Sequence, residues 1–115
     1  MRAGFTLIEA LVALVLFQIA ALALAATTAV AARDLAVAHR HARANAIALE
    51  RVARFKAGAC AGFASGSEVH PGGFEERWTV VAAAQARTLT DSVAFDLTGG
   101  KRGAVVARGA DLCPR

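Results

Sequence analysis

The sequence predicts an α+β chain in which one long N-terminal helix packs on a small antiparallel β-sheet. Three observations carry this expectation. Between Phe5 and Lys56 there is no Gly and no Pro, the residues that most disfavour a helix interior, while alanine, the best helix former, recurs throughout. Residues 10–32 form an uninterrupted run of 23 uncharged residues. At about 1.5 Å per residue that run is long enough to cross a hydrocarbon core of roughly 30 Å. Beyond Gly73 the pattern changes to alternating apolar and polar residues punctuated by glycine, the signature of short strands.

The helix is expected over residues 5–56, about 78 Å if unbroken, and it divides by composition. Residues 5–32 make the apolar, transmembrane half, and residues 33–56 an amphipathic half. In the second half Leu35, Ala38, Ala42, Ala46, Leu49 and Ala53 fall at three- and four-residue steps, with Arg40, Arg43, Glu50, Arg51 and Arg54 largely elsewhere. That stripe needs a covering surface. Glycines at 58 and 62 end the helix. The segment onward to Gly73, with Ser65-Gly66-Ser67 and Pro71-Gly72-Gly73, reads as loop. Residues 76–83 read as a strand with Trp78, Val80 and Ala82 on one face. Residues 86–97 follow with Leu89, Val93, Phe95 and Leu97 on one face, where Asp91 interrupts the apolar run and is expected to mark a bend. Thr98-Gly99-Gly100-Lys101 then turns into a third strand over residues 104–108. A sheet domain over residues 57–115 packed on the amphipathic half would bury both apolar faces at once.

At the N-terminus, Gly4 ends a four-residue basic leader, and Glu9 is the only charge among residues 4–16. A carboxylate within an apolar helix costs roughly 2.5–3.5 kcal/mol at the bilayer centre and less near an end, so something should compensate it. A secretory signal peptide would carry about 7–15 apolar residues with a small-residue cleavage site on the far side. Here the apolar run is longer and the glycine precedes it.

Gly4, Phe5, Thr6, Leu7, Ile8 and Glu9, set directly against a membrane-length helix, resemble the N-terminus of the type IV pilin superfamily. That superfamily includes pilus subunits, minor pilins and the pseudopilins of type II secretion. The resemblance implies a pilin-like fold, removal of leader residues 1–4 by prepilin peptidase cutting after Gly4, and N-methylation of Phe5. It implies retention in inner-membrane lipid, a C-terminal domain in the periplasm, and hand-over to an assembly platform that stacks the chain with other pilin-like subunits. In that family Glu9 would pair with the Phe5 amine of an adjacent subunit; the alternatives are a pair with its own terminus, or a carboxylate lying unpaired near the headgroups. The positive-inside rule, applied to Arg33, Arg40, Arg43, Arg51, Arg54 and Lys56, would place the larger domain in the cytoplasm, and the resemblance implies the opposite. Ala26 stands where many major pilins carry a proline or glycine, which points toward a minor pilin or pseudopilin. The short leader, small domain and Trp78-Thr79-Val80-Val81 strand look like the I-type minor pseudopilin or V-type minor pilin.

A formal charge of +4 is mildly basic; the arginines are explained as a solvated helix face, and nucleic acid is not indicated as a partner. Cys60 and Cys113 are the two cysteines. In an oxidising periplasm a disulfide is expected, closing a loop of about 54 residues and contributing on the order of 4 kcal/mol; two free buried thiols are the alternative. No metal or cofactor is expected. The cysteines lack C-x-x-C spacing, and His39 and His41 stand two apart on a helix, so their side chains diverge. His70 reads as solvated, Trp78 as a core anchor, and Glu75, Glu76, Asp91, Asp96 and Asp111 as single carboxylates without catalytic spacing, so no enzyme is expected. One rival reading is a bitopic inner-membrane protein whose small periplasmic domain binds a partner without polymerising. A second is an exported soluble enzyme or binding domain on an uncleaved anchor, which would be active in a chain starting near Arg33.

Overall fold

The computed structural model describes residues 5–58, 62–83 and 85–113. Its elements are α1 (Leu7–Ala57), β1 (Gly66–His70), β2 (Phe74–Ala83), β3 (Ala86–Asp96) and β4 (Arg102–Leu112), with the strands in one antiparallel sheet of order β1-β2-β3-β4. This is the expected α+β, pilin-like architecture. The chain forms two compact units, one running to Ala36 and the other from Val37 onward.

The first unit is helix. Its start is set by Thr6, whose carbonyl accepts the Glu9 amide at 3.1 Å and the Ala10 amide at 3.2 Å. The spacing Thr6-x-x-Glu9 is that of a capping box. The apolar side chains that follow, among them Leu7, Phe17 and Leu22, are exposed, and the helix is long and apolar enough to cross a membrane. Thr27 and Thr28 are satisfied within it: their hydroxyls donate to Leu24 O and Ala25 O, each at 2.9 Å.

The second unit is built on the β2–β3–β4 meander. Thr98, Gly99 and Gly100 turn β3 into β4 as expected, with φ of 86° at Gly99 and 74° at Gly100, a region where glycine is nearly alone in being unstrained. The Leu97 amide donates to Lys101 O at 2.7 Å and closes the hairpin. On the helix side of the sheet Phe74, Val93 and Phe95 pack with Ala44 and Ala48 of α1, bordered by Ile47, Leu97, Val105 and Ala107. Arg87 fastens the end of the helix: its Nη2 donates to Phe55 O at 2.7 Å, to Gly58 O at 2.8 Å and to Asp111 Oδ2 at 2.9 Å. A buried cation thus satisfies carbonyls that the last helical turn leaves open.

Three expectations are corrected. The segment read as loop before Gly73 contains β1, which pairs with β2 from Gly66↔Trp78 to His70↔Phe74, so the sheet has four strands. The residues of β1 facing the helix side are Gly66, Glu68 and His70, so it carries no apolar alternation to announce it. Asp91 marks no bend; pairing runs through it on both sides, to Trp78 and to Ala107. The helix seam is also rotated. Ala44, Ala48 and Phe55 are buried, whereas Ala38, Ala42, Ala46, Leu49 and Ala53 are exposed, as is Leu35. Alanines line both faces and discriminate weakly. The seam is chosen by Phe55 and by arginines that find acceptors on the sheet, such as Arg40, which donates to Asp96 O.

Candidate functional site

The residues expected to act in assembly lie at the start of α1. Gly4 is outside the described residues. Phe5 precedes the helix and is 76% exposed. Glu9 is in the first turn of α1 and exposed, beside amides that lack intrahelical partners, which favours negative charge there. No described residue gives the Glu9 carboxylate a hydrogen bond or ion pair, so its charge is open to a partner outside the chain. Cys60 also lies outside the described residues, and its expected disulfide with Cys113 stays an expectation. Cys113 follows β4, where its amide donates to Gln85 O at 2.9 Å.

The sheet domain holds a second constellation, built from residues that stand apart in the sequence. The β1–β2 hairpin sets Glu68 directly opposite Glu76. Two like charges at such a pair repel unless a cation bridges them. Arg51 of α1 is that cation. Its Nε donates to Glu76 Oε1 at 2.7 Å and its Nη2 to Glu76 Oε2 at 2.6 Å and Glu68 Oε2 at 2.7 Å. His70 adds a contact of 2.7 Å from Nε2 to Glu76 Oε2, so His70 is not the solvated loop histidine expected. Trp78 lies beneath: the Arg51 guanidinium carbon is 3.7 Å from the ring centroid, and the indole N–H donates to Ala64 O at 2.8 Å. Gly66 makes room for that ring, since a Cβ there would stand 2.6 Å from Trp78 Cζ2. Trp78 is therefore half-buried beneath an arginine, at the margin of the apolar core.

Glu76 has 1% of its surface exposed and Asp91 none. Burial pulls the Glu76 carboxyl upward, but its hydrogen bonds from Arg51 and His70 outweigh this and hold it below the ordinary carboxylate range. Asp91 has no such donor: no arginine or histidine among the described residues bonds to its buried carboxylate oxygens. Burial first, and the nearby Glu76 charge second, push it from 3.8 up to about 6, against a smaller opposing pull from Arg51. The arrangement keeps Glu76 ionised and favours a proton on Asp91. Glu68, His70 and Glu76 also bring their ligand-type atoms within 4.8 Å of one another, in a pocket of about 190 Å³ that Arg51 and Arg54 help to line. The guanidinium of Arg51 already supplies the positive charge that a metal would bring. The signal legible in advance was the Glu68–Glu76 pairing, visible once Pro71-Gly72-Gly73 is read as a hairpin turn.

Among known families, the prokaryotic N-terminal methylation motif matches residues 1–26. No curated protein and no solved structure matches the chain. The matched motif supports a type IV pilin-like subunit, and it implies processing by prepilin peptidase and assembly with other pilin subunits. The apolar helix that continues from the motif fits a membrane-anchored pilin.

Proposed function

We propose that the chain is a minor pilin or minor pseudopilin, of the I-type or V-type kind, that takes its place in a pilin-like fibre or the complex at its tip. The precursor sits in the inner membrane with its sheet domain in the periplasm. Prepilin peptidase cuts after Gly4, Phe5 is N-methylated, and Glu9 docks against the Phe5 amine of a neighbour as the assembly platform extracts the chain. The observation that carries this reading is the methylation motif running directly into a membrane-length helix. Two features support it. Among the described residues Glu9 has no partner, and the stripe Ala38, Ala42, Ala46, Leu49 and Ala53 is exposed, which gives neighbouring helices an apolar surface to pack on. A disulfide between Cys60 and Cys113 would close the sheet domain onto the end of the helix.

The test is intact-mass and N-terminal analysis of the protein from membranes with and without prepilin peptidase. A chain beginning at N-methylated Phe5 only in the presence of the peptidase is the expected result. An uncut Met1 in both samples would replace this reading with a bitopic anchor that does not polymerise.

A further inference from the structure

We infer that Gln18 is a polar contact at which the membrane helix pairs with a second copy of this chain. The inference rests on insertion of the helix in the membrane and is independent of fibre assembly.

Within the uncharged run 10–32 the polar side chains are Gln18, Thr27 and Thr28. The threonine hydroxyls bond to carbonyls of their own helix. No hydrogen bond reaches the Gln18 amide among the described residues. A primary amide in hydrocarbon without a partner is costly, and in mid-span every backbone N–H of the helix is already engaged, so nothing in the helix can donate to its carbonyl oxygen. Reaching water does not solve this. Gln18 is 13 residues past Phe5 and 15 before Arg33, about 20 Å of helix from either end, too far for a glutamine to extend to the interface.

The partner it fits is another Gln18. The carboxamide carries both donor and acceptor, and two copies inserted in the same direction hold Gln18 at the same depth. Each can then donate N–H to the other's carbonyl oxygen, closing two hydrogen bonds. The surrounding face suits such a pair: Leu11, Leu14, Gln18, Ala21, Ala25 and Thr28 recur at alternating three- and four-residue steps, the seam of two parallel helices. Ala21 and Ala25, four apart, let the backbones approach closely beside the amide pair. Leu16 and Ala20 lie on the opposite face.

The test uses the full chain in cells lacking prepilin peptidase, so that contacts within a fibre cannot supply the signal. A photo-cross-linking residue is placed at Leu14 or Ala21 on the stripe, and at Leu16 or Ala20 opposite, with alkaline extraction of membranes reporting insertion in every sample. Cross-linked dimer from the stripe positions alone is the expected result. Gln18→Leu should weaken association roughly five- to thirtyfold, while Gln18→Asn should keep a substantial part of it. If the chain is extracted from membranes, the membrane reading fails and this inference with it. If the chain is inserted, the pairing is overturned by equal dimer from both faces, by unchanged dimer in Gln18→Leu, or by cross-links to lipid or to a different protein.

Discussion

Asp91 lies in the middle of β3 with no exposed surface and no charged donor on its carboxylate among the described residues, next to a glutamate held ionised by Arg51. Its carboxyl is raised from 3.8 to about 6, so between those values the folded chain binds a proton that the unfolded chain does not. Stability from this residue is complete below pH 3.8 and is lost as pH rises through about 6, a difference on the order of 3 kcal/mol. Glu76 acts in the opposite sense, but its pKa is lowered, so its contribution falls away only in more acidic solution. The sheet domain should therefore become more stable from pH 8 to pH 5. Asp91→Asn should be more stable than the parent at pH 8 and nearly flat over that range. Denaturant unfolding of the detergent-solubilised chain, followed by the fluorescence of its one tryptophan, Trp78, measures both. The same probe tests Arg51, which is bonded to both Glu68 and Glu76. Arg51→Met leaves Glu76 buried without its main cation and should cost about 3–5 kcal/mol, whereas Arg51→Met combined with Glu76→Leu should recover much of that loss. A double variant no better than Arg51→Met would show that packing on Trp78, and not charge compensation, is what Arg51 supplies.

At the scale of the element, the seam between α1 and the sheet makes opposite predictions for two alanines two residues apart. Ala44 is fully buried against the sheet, so Ala44→Leu overfills a packed site and should cost about 1–3 kcal/mol. Ala46 is exposed on the uncovered stripe, and Ala46→Leu should change unfolding by less than about 0.5 kcal/mol. Reversal of these two results would restore the seam that periodicity alone suggested. The existence of α1 was legible because absence of Gly and Pro over some fifty residues is a strong local signal. Its facing was not, because alanine on every side leaves the apolar moment nearly directionless and long-range acceptors on the sheet decide the matter. The β3–β4 hairpin was legible in Gly99-Gly100 and in the alternation from Leu89 to Phe95. Strand β1 was not, since its inward residues are Gly66, Glu68 and His70, none of them apolar, and the cation that meets Glu68, Arg51, is supplied from elsewhere in the chain. The residues proposed for cleavage and assembly, Gly4, Phe5 and Glu9, could be named from sequence because they form a local motif. The Arg51–Glu76–His70 cluster is assembled by tertiary pairing and could not be read as spacing.

At the scale of the whole molecule, the buried core, from Ala44 to Phe95, lies in the unit that begins at Val37, whereas the apolar side chains of the first unit are exposed. Folding of the sheet domain and assembly through the N-terminus should therefore respond to separate substitutions. Glu9→Gln keeps the shape and length of the side chain while removing the charge proposed to meet the neighbour's Phe5 amine. It should lower the amount of subunit recovered in fibres by about tenfold or more, as expected when a low-dielectric ion pair loses one member. It should also leave the Trp78 unfolding transition within about 0.5 kcal/mol of the parent. Arg51→Met should do the reverse at the level of stability, lowering the unfolding midpoint while the precursor is still cut after Gly4. Measuring processing, fibre incorporation and unfolding on the same two variants separates the roles. Loss of stability in Glu9→Gln would mean that the first turn of α1 contributes to the stability of the sheet domain. Normal incorporation of Glu9→Gln would mean that the carboxylate is not the docking charge, and the uncovered stripe of α1 would then be the contact to test next.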